Sequence, residues 1–306
     1  MMNRGPDSRD HAASRQGLIY GVAAYGLWGV LPIYFKLLKA VPPVDIVAQR
    51  VLWSIPVLAL LVSATGGWTK VRQAMRERKT MFLLLASAAL IGVNWVLYVY
   101  AVNSGHILAG SLGYYLNPLA NVLLGRLVLK ERLTKLQWVA VAIAAAGIAV
   151  LAVQALSQLW ISLTLCASFA TYGLVRKVAP VDALPGLTIE TLLLAPLSLA
   201  WLVFSLAAGN PSFGMSTSDT LLLALAGLVT ATPLLLFTAA ARRLRLSTLG
   251  MLQFLAPTSQ FVIAVWVYGE PFTQAHAIAF AAIWSALAIY VFAMLHNARV
   301  SVVIPE

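Results

Sequence analysis

Apolar residues recur along this chain in runs of about twenty, separated by short polar or basic segments, from near one end to the other. A helix that crosses a bilayer needs about 20 mostly apolar residues. By that measure the pattern predicts about ten spans, at 17–38, 44–64, 80–102, 107–129, 136–153, 158–175, 184–207, 220–240, 247–268 and 275–295. The seventh run is interrupted by Glu190 and Pro196. No run shows the strict alternation of a half-buried strand, so the expected class is an all-α membrane protein.

The runs are not independent of one another. Leu116, Pro118, Glu131 and Thr134 recur 139 positions later as Leu255, Pro257, Glu270 and Thr273. Earlier in each half, Arg50 and Pro56 line up with Glu190 and Pro196, 140 positions on. The chain therefore divides into a tail at 1–16, a first unit at 17–153, a second at 154–295 and a tail at 296–306. Each unit holds about five spans, and five is odd, so the second unit enters the membrane from the opposite face. Two inverted-topology five-helix repeats are the plan of many secondary transporters, because interchangeable halves give two states of similar energy.

Composition and charge sharpen this picture. The 306 residues are 61% hydrophobic with a mean hydropathy of +0.86, well above the roughly half-apolar make-up of soluble domains. The net charge of +11 does not point to nucleic acid, since no basic run is interleaved with aromatics on a polar surface. With the N-terminus in the cytoplasm, 18 of the 21 Lys and Arg residues fall in cytoplasmic segments, Arg176 and Lys177 among them. Only Lys36, Lys39 and Arg50 lie elsewhere. That bias predicts an even number of spans with both termini cytoplasmic.

Little of the usual enzyme chemistry is present. Cys166, the only cysteine, sits inside a predicted span, and His11, His106, His276 and His296 are scattered without metal-ligand spacing. No Walker loop, Gly-x-Ser-x-Gly or HExxH occurs. No catalytic residue, cofactor or metal is assigned.

The polar residues inside the spans form stripes instead. Tyr114, Pro118 and Asn121 share one face of the fourth span, and Gln253, Pro257 and Gln260 share the same face of the ninth. The third span carries Ser87, Asn94 and Tyr98 with Trp95, and the first carries Tyr25 and Trp28. Polar groups in hydrocarbon must face protein or water, so these stripes either line a cavity or close the bundle by interhelical packing. The candidate cavity lining is Tyr25, Trp28, Asn94, Tyr98, Tyr114, Asn117, Gln253 and Gln260, with Pro118 and Pro257 as candidate hinges. Arg50 and Glu190 are the candidates for coupling or gating. Each lies roughly 9 Å deep from opposite faces, which leaves about 12 Å of depth between them and predicts no direct pair. Arg50 either snorkels to the outer interface or serves as a gate or anion site; Glu190 is the expected proton carrier if transport is proton-coupled. Glu131 and Glu270 sit at turns and are read as structural, with Thr134 and Gln137 forming a capping box for the fifth span and Thr273 a less complete cap, since His276 stands where the partner would be.

These residues resemble a known family. Trp28-Gly29 and the Glu-x-x-Thr turn closing each hairpin are similar to the EamA group of the drug/metabolite transporter superfamily. Arg50-Val-Leu-Trp-Ser54, Asn94-Trp95, the Ser111 to Pro118 stretch, Gly173-Leu-Val-Arg-Lys177, Ile189-Glu-Thr191 and the Phe237 to Gly250 stretch are similar to its RarD branch, named for chloramphenicol sensitivity. The resemblance implies an inner-membrane (plasma-membrane) permease of ten helices around a central cavity that opens to alternating faces. One departure is Gln49, where this branch commonly has histidine before the arginine. The expected function is a secondary transporter, an exporter or exchanger of small amphipathic metabolites or drugs, with a small-molecule substrate and the lipid bilayer as its partners. The alternative is a membrane-embedded enzyme acting on a lipid-linked substrate, which a carboxylate-rich cluster at one face would favour.

Overall fold

A computed structural model describes residues 8–104, 106–153, 159–209, 212–214, 216–269 and 274–303. The expected turn residues Glu270 and Thr273 lie outside the described residues. The described residues contain no strand. The helices are α1 (Ser8–Leu37), α2 (Pro43–Ala64), α3 (Trp68–Arg76), α4 (Arg78–Asn103), α5 (Ile107–Leu127), α6 (Lys135–Ala152), α7 (Leu159–Val178), α8 (Ala183–Ala207), α9 (Thr217–Arg243), α10 (Leu246–Gln253), α11 (Leu255–Val262) and α12 (Gln274–Val303), with a π-helical turn at Ile263–Val267. Among the described residues, nine helical stretches are long and apolar enough to cross a membrane: those of α1, α2, α4, α6, α7, α8, α9, α12 and the continuous run Leu246–Val267. Helix α5 is itself 21 residues long and packs among them.

Two features depart from the reading by runs. The segment between the second and third spans, read only as a basic connection, is helical. Its Val71 and Ala74 are buried while Lys70, Arg72 and Arg76 face outward, and this amphipathic spacing makes it the short helix α3. The ninth span is not one helix, because it is interrupted at Phe254 between α10 and α11. Pro257 explains the break: it has no N–H for the carbonyl four residues back, Gln253, and its ring crowds that carbonyl. Pro118, at the repeat-equivalent position, is accommodated inside an unbroken α5.

The bundle is held by α6 against α12, α5 against α7 and α10, α1 against α9 and α11, α2 against α8 and α9, and α4 against α7 and α8. Helices α2 and α8 run in opposite directions. Asp45 at the start of α2 accepts from Trp201 Nε1 near the end of α8 at 2.7 Å, and Lys70, just past α2, bonds Asp182 at the N-terminus of α8 at 2.9 Å. Helix α9 crosses α2 at van der Waals closeness through Gly227, where a Cβ atom would lie 2.1 Å from the carbonyl oxygen of Trp53. Ser54 completes that crossing by donating to the Gly227 carbonyl at 3.3 Å.

The thick of the core is aromatic. Phe237 on α9 touches Tyr25 and Trp28 of α1 and Phe169 and Tyr172 of α7, with ring centroids 5.5–6.3 Å apart. Such offset and edge contacts add to area burial and define one arrangement of the three helices.

Candidate functional site

Two charged groups in the interior organise the site. The first is Arg50, on the eighth residue of α2, where the chain is deep in the apolar run. Its Nε donates to Thr230 Oγ1 on α9 at 2.7 Å. The guanidinium lies over the Trp95 ring of α4, 5.0 Å from its centroid, and 5.6 Å from the Phe35 ring of α1. Tyr34, Tyr98 and Tyr114 lie close enough to act on it electrostatically. Arg50 is thus directed into the bundle rather than stretched toward an interface, and it gathers residues from α1, α2, α4, α5 and α9. Tyr98 and Tyr114 are in ring contact at 5.6 Å.

The second is Glu190 on α8, 2% exposed. Its Oε1 accepts from Ser87 Oγ of α4 and lies 3.4 Å from Nη1 of Arg176 on α7. The Arg176 guanidinium is fully buried and also donates to the Ala183 carbonyl at 3.2 Å. This corrects the placement of Arg176 among the loop charges: α7 continues to Val178, so its last turn is still inside the bundle. Gly186 makes room for the pair, since a Cβ there would sit 2.2 Å from Nη1. Oε2 of Glu190 has no donor among the described residues.

A small cavity with room for about one water reaches Glu190 directly, and reaches Arg50 only through two residues that touch it. Trp95 and Thr230, both held against Arg50, form part of its wall, and Glu190 and Tyr172 form another part. Val51, Ile91 and Leu234 complete an otherwise apolar lining.

The other sequence candidates are placed as follows. Tyr25 is fully buried in the aromatic core beside Trp28, and its hydroxyl has no partner among the described residues. Asn94 donates to the Leu165 carbonyl at 2.9 Å and to Ser168 at 3.0 Å, joining α4 to α7. Asn117 is fully buried with neither amide atom bonded among the described residues. Gln253 accepts from Asn121 at 3.0 Å, and Gln260 donates to the Trp28 carbonyl at 3.0 Å. Sequence reasoning missed Thr230, Tyr172, Arg176 and the buried Asp45. Only Asp45 carried a signal, being a carboxylate two residues inside an apolar run.

The model of the EamA-like transporter family matches residues 15–153. Protein RarD of Escherichia coli is 44% identical over 298 residues, covering 95% of this chain and 98% of that one. An uncharacterized transporter of Vibrio cholerae is 45% identical over 286 residues, covering 93% and 94%. The chain belongs to the EamA-like transporter family, in its RarD branch. YojE of Bacillus subtilis, also described as an uncharacterized transporter, is 43% identical over 95% of this chain and 98% of its own. A solved crystal structure with 21% identity superposes with a TM-score of 0.72 over 90% of this chain and 97% of the other, which shows a shared fold.

In this RarD-branch chain the basic end of the bundle is tied together by charged contacts. Lys130 adopts a left-handed conformation with φ of 55°, and the turn brings the Glu131 carboxylate to the N-terminus of α10. There it accepts from the amides of Leu246 at 2.6 Å and Ser247 at 3.1 Å, and from the Ser247 hydroxyl at 2.6 Å. Glu131 is structural, as read from the sequence, but it caps a helix of the other half of the chain. The capping box of α6 forms as expected, with Thr134 N to Gln137 Oε1 at 2.9 Å and Gln137 N to Thr134 Oγ1 at 3.3 Å. Nearby, Lys70 donates to Asp182, and this bond keeps the Asp182 carboxyl below the usual carboxylate range, with Arg242 adding to it. Replacing Glu131 by alanine removes a cap and a favourable charge at a helix N-terminus. It is expected to lower stability by about 2 kcal/mol, read as a fall in the thermal unfolding midpoint in detergent.

Proposed function

We propose that this protein is a secondary transporter of the plasma membrane, moving small amphipathic molecules by alternating access around the space between Arg50 and Glu190. The observation that carries the reading is the pair of interior charges, Arg50 and Glu190, with a cavity that touches Glu190 and two residues held against Arg50. Arg50 and Glu190 occupy equivalent positions of the duplicated unit, one a cation and the other a carboxylate, and the cavity is walled by Glu190 and by Trp95 and Thr230 beside Arg50. Ionisable residues in a membrane interior are costly and mark pathways for solutes or protons.

Further support comes from the architecture. With α5 as the tenth span and α3 at the surface, the halves are α1–α6 and α7–α12. Exchanging them turns the α5–α7 contact into that of α1 with α11, and the α1–α9 contact into α4–α7. The α2–α8, α5–α10 and α6–α12 contacts map onto themselves. Repeat-equivalent α2 and α8 are antiparallel, as an inverted repeat requires. In this reading the basic end is cytoplasmic and closed, held by Glu131 on α10 and by Lys70 and Arg242 on Asp182. Tyr98 and Tyr114 then belong to the pathway leading to Arg50 from outside. Tyr25, Trp28, Asn94, Asn117, Gln253 and Gln260 line the surfaces that part when the basic end opens, about hinges at Pro118 and Pro257. The unbonded amide of Asn117 and hydroxyl of Tyr25 suit such a role, because buried polar groups rarely lack partners.

The test is flux in liposomes of purified protein, with a substrate panel of anions, cations and neutral molecules, with and without a pH gradient. Flux of at least one member is expected, and no flux or binding under either condition overturns the reading. Glu190 is the proton carrier in this scheme. Glu190→Gln is therefore expected to abolish the response of flux to the pH gradient, and an intact response removes Glu190 from that role.

A further inference from the structure

We infer that the substrate is an organic monoanion with a flat apolar body, an aryl carboxylate in its simplest form, and that Arg50 selects it. This rests on the transporter reading and names the chemistry of the same site.

Arg50 is short of partners for its charge. A guanidinium stays charged under all physiological conditions. Apart from the Nε bond to Thr230, its nitrogens make no hydrogen bond to a described residue. No carboxylate of the described residues lies within ion-pair distance of it, whereas the fully buried Arg176 has Glu190. The faces of Trp95 and Phe35 offset part of the charge. They leave the two terminal NH2 groups free, and this planar fork matches the two oxygens of a carboxylate.

The surroundings define the rest of the molecule. Trp95, Phe35, Tyr98 and Tyr114 offer ring faces and edges beside the fork, so a flat apolar body would stack where the charge is bound. Behind Trp95 and Thr230 the small cavity ends on Glu190, whose Oε2 has no donor among the described residues. A second carboxylate at that end would meet an acceptor, whereas an N–H or O–H donor would be satisfied. The selection is thus for one negative end and a neutral or donating other end.

The experiment compares benzoate, 2-naphthoate and indole-3-acetate with the matching amides, and indole-3-acetate with tryptamine. Binding to the full-length protein and flux into liposomes are read at mildly alkaline pH, where the acids are ionised. The carboxylates are expected to be favoured over their amides by about tenfold or more, with indole-3-acetate preferred over benzoate. Arg50→Gln is expected to weaken carboxylate binding by roughly thirtyfold or more, since it removes the charge that pairs with the carboxylate. Arg50→Lys, which keeps the charge but loses the fork, is expected to fall between the two. The wild-type preference tests the idea even where a variant does not fold. Equal treatment of acids and amides, or carriage of neutral or cationic members of the broad panel alone, overturns the inference and leaves the transporter reading standing. Absence of flux for every compound overturns both.

Discussion

Replacing Gly227 by valine is expected to leave almost no folded protein. The first added carbon would lie 2.1 Å from the Trp53 carbonyl oxygen and 2.7 Å from the Ser54 amide nitrogen, and both obstacles are backbone. No rotamer relieves such a contact, so α2 and α9 must separate. Separation breaks the Ser54 bond to Gly227 and pulls Thr230, one turn further along α9, away from Arg50. Helix α9 cannot shift alone, because it also packs on α1, α7 and α8. Overpacking in a rigid core costs about 1–3 kcal/mol, and a backbone-to-backbone clash belongs at or beyond the top of that range. The measurement is the yield of monodisperse protein in detergent. Gly26→Ala is the control, since nothing lies within 4 Å of the position where its Cβ would stand; it should behave as wild type. Equal yields for the two variants would mean that α2 and α9 are not in contact at Gly227.

The second large effect is at the buried ion pair. Arg176→Met removes the cation and leaves the Glu190 carboxylate, 2% exposed, with Ser87 as its remaining partner. Breaking a buried pair from one side costs about 3–5 kcal/mol, because the surviving charge is uncompensated. Arg176→Met with Glu190→Gln removes both charges, so it should recover most of that loss. Thermal unfolding of the wild type, both single variants and the double variant completes the cycle. If the double variant is as unstable as the sum of the single ones, the two side chains are not coupled. Flux separates stability from mechanism, since the double variant should fold and yet lack the response to a pH gradient.

Much of the architecture was legible in the sequence because the bilayer imposes a length rule that acts locally. Apolar runs, the Thr134–Gln137 capping box and the internal duplication are visible without any partner in view. The reading failed where a residue's role depends on a helix distant in the chain. Arg176 looked like a boundary charge because it follows an apolar run next to Lys177, and only the approach of α8, with Gly186 opening a slot, makes it a buried partner of Glu190. Glu131 was recognised as structural, but the amides it holds are over a hundred residues away, at the start of α10. The helix α3 escaped notice because a search for spans does not register a nine-residue amphipathic segment.

The site divides along the same line. The sequence identified Arg50 and Glu190 as the charged groups to watch, since a charge in an apolar run is costly wherever the chain folds. It predicted that they would not pair, and their partners are Thr230 for one and Arg176 with Ser87 for the other. What it could not supply were those partners, nor the cavity walled by Glu190 and by two neighbours of Arg50. Hydropathy and repeat spacing are properties of the chain alone, so the sequence by itself determined the class, the family and the charged positions. Which ring covers Arg50 and which cation meets Glu190 depend on contacts across more than a single helix, and the packing of α1, α2, α4, α7, α8 and α9 alone decided them.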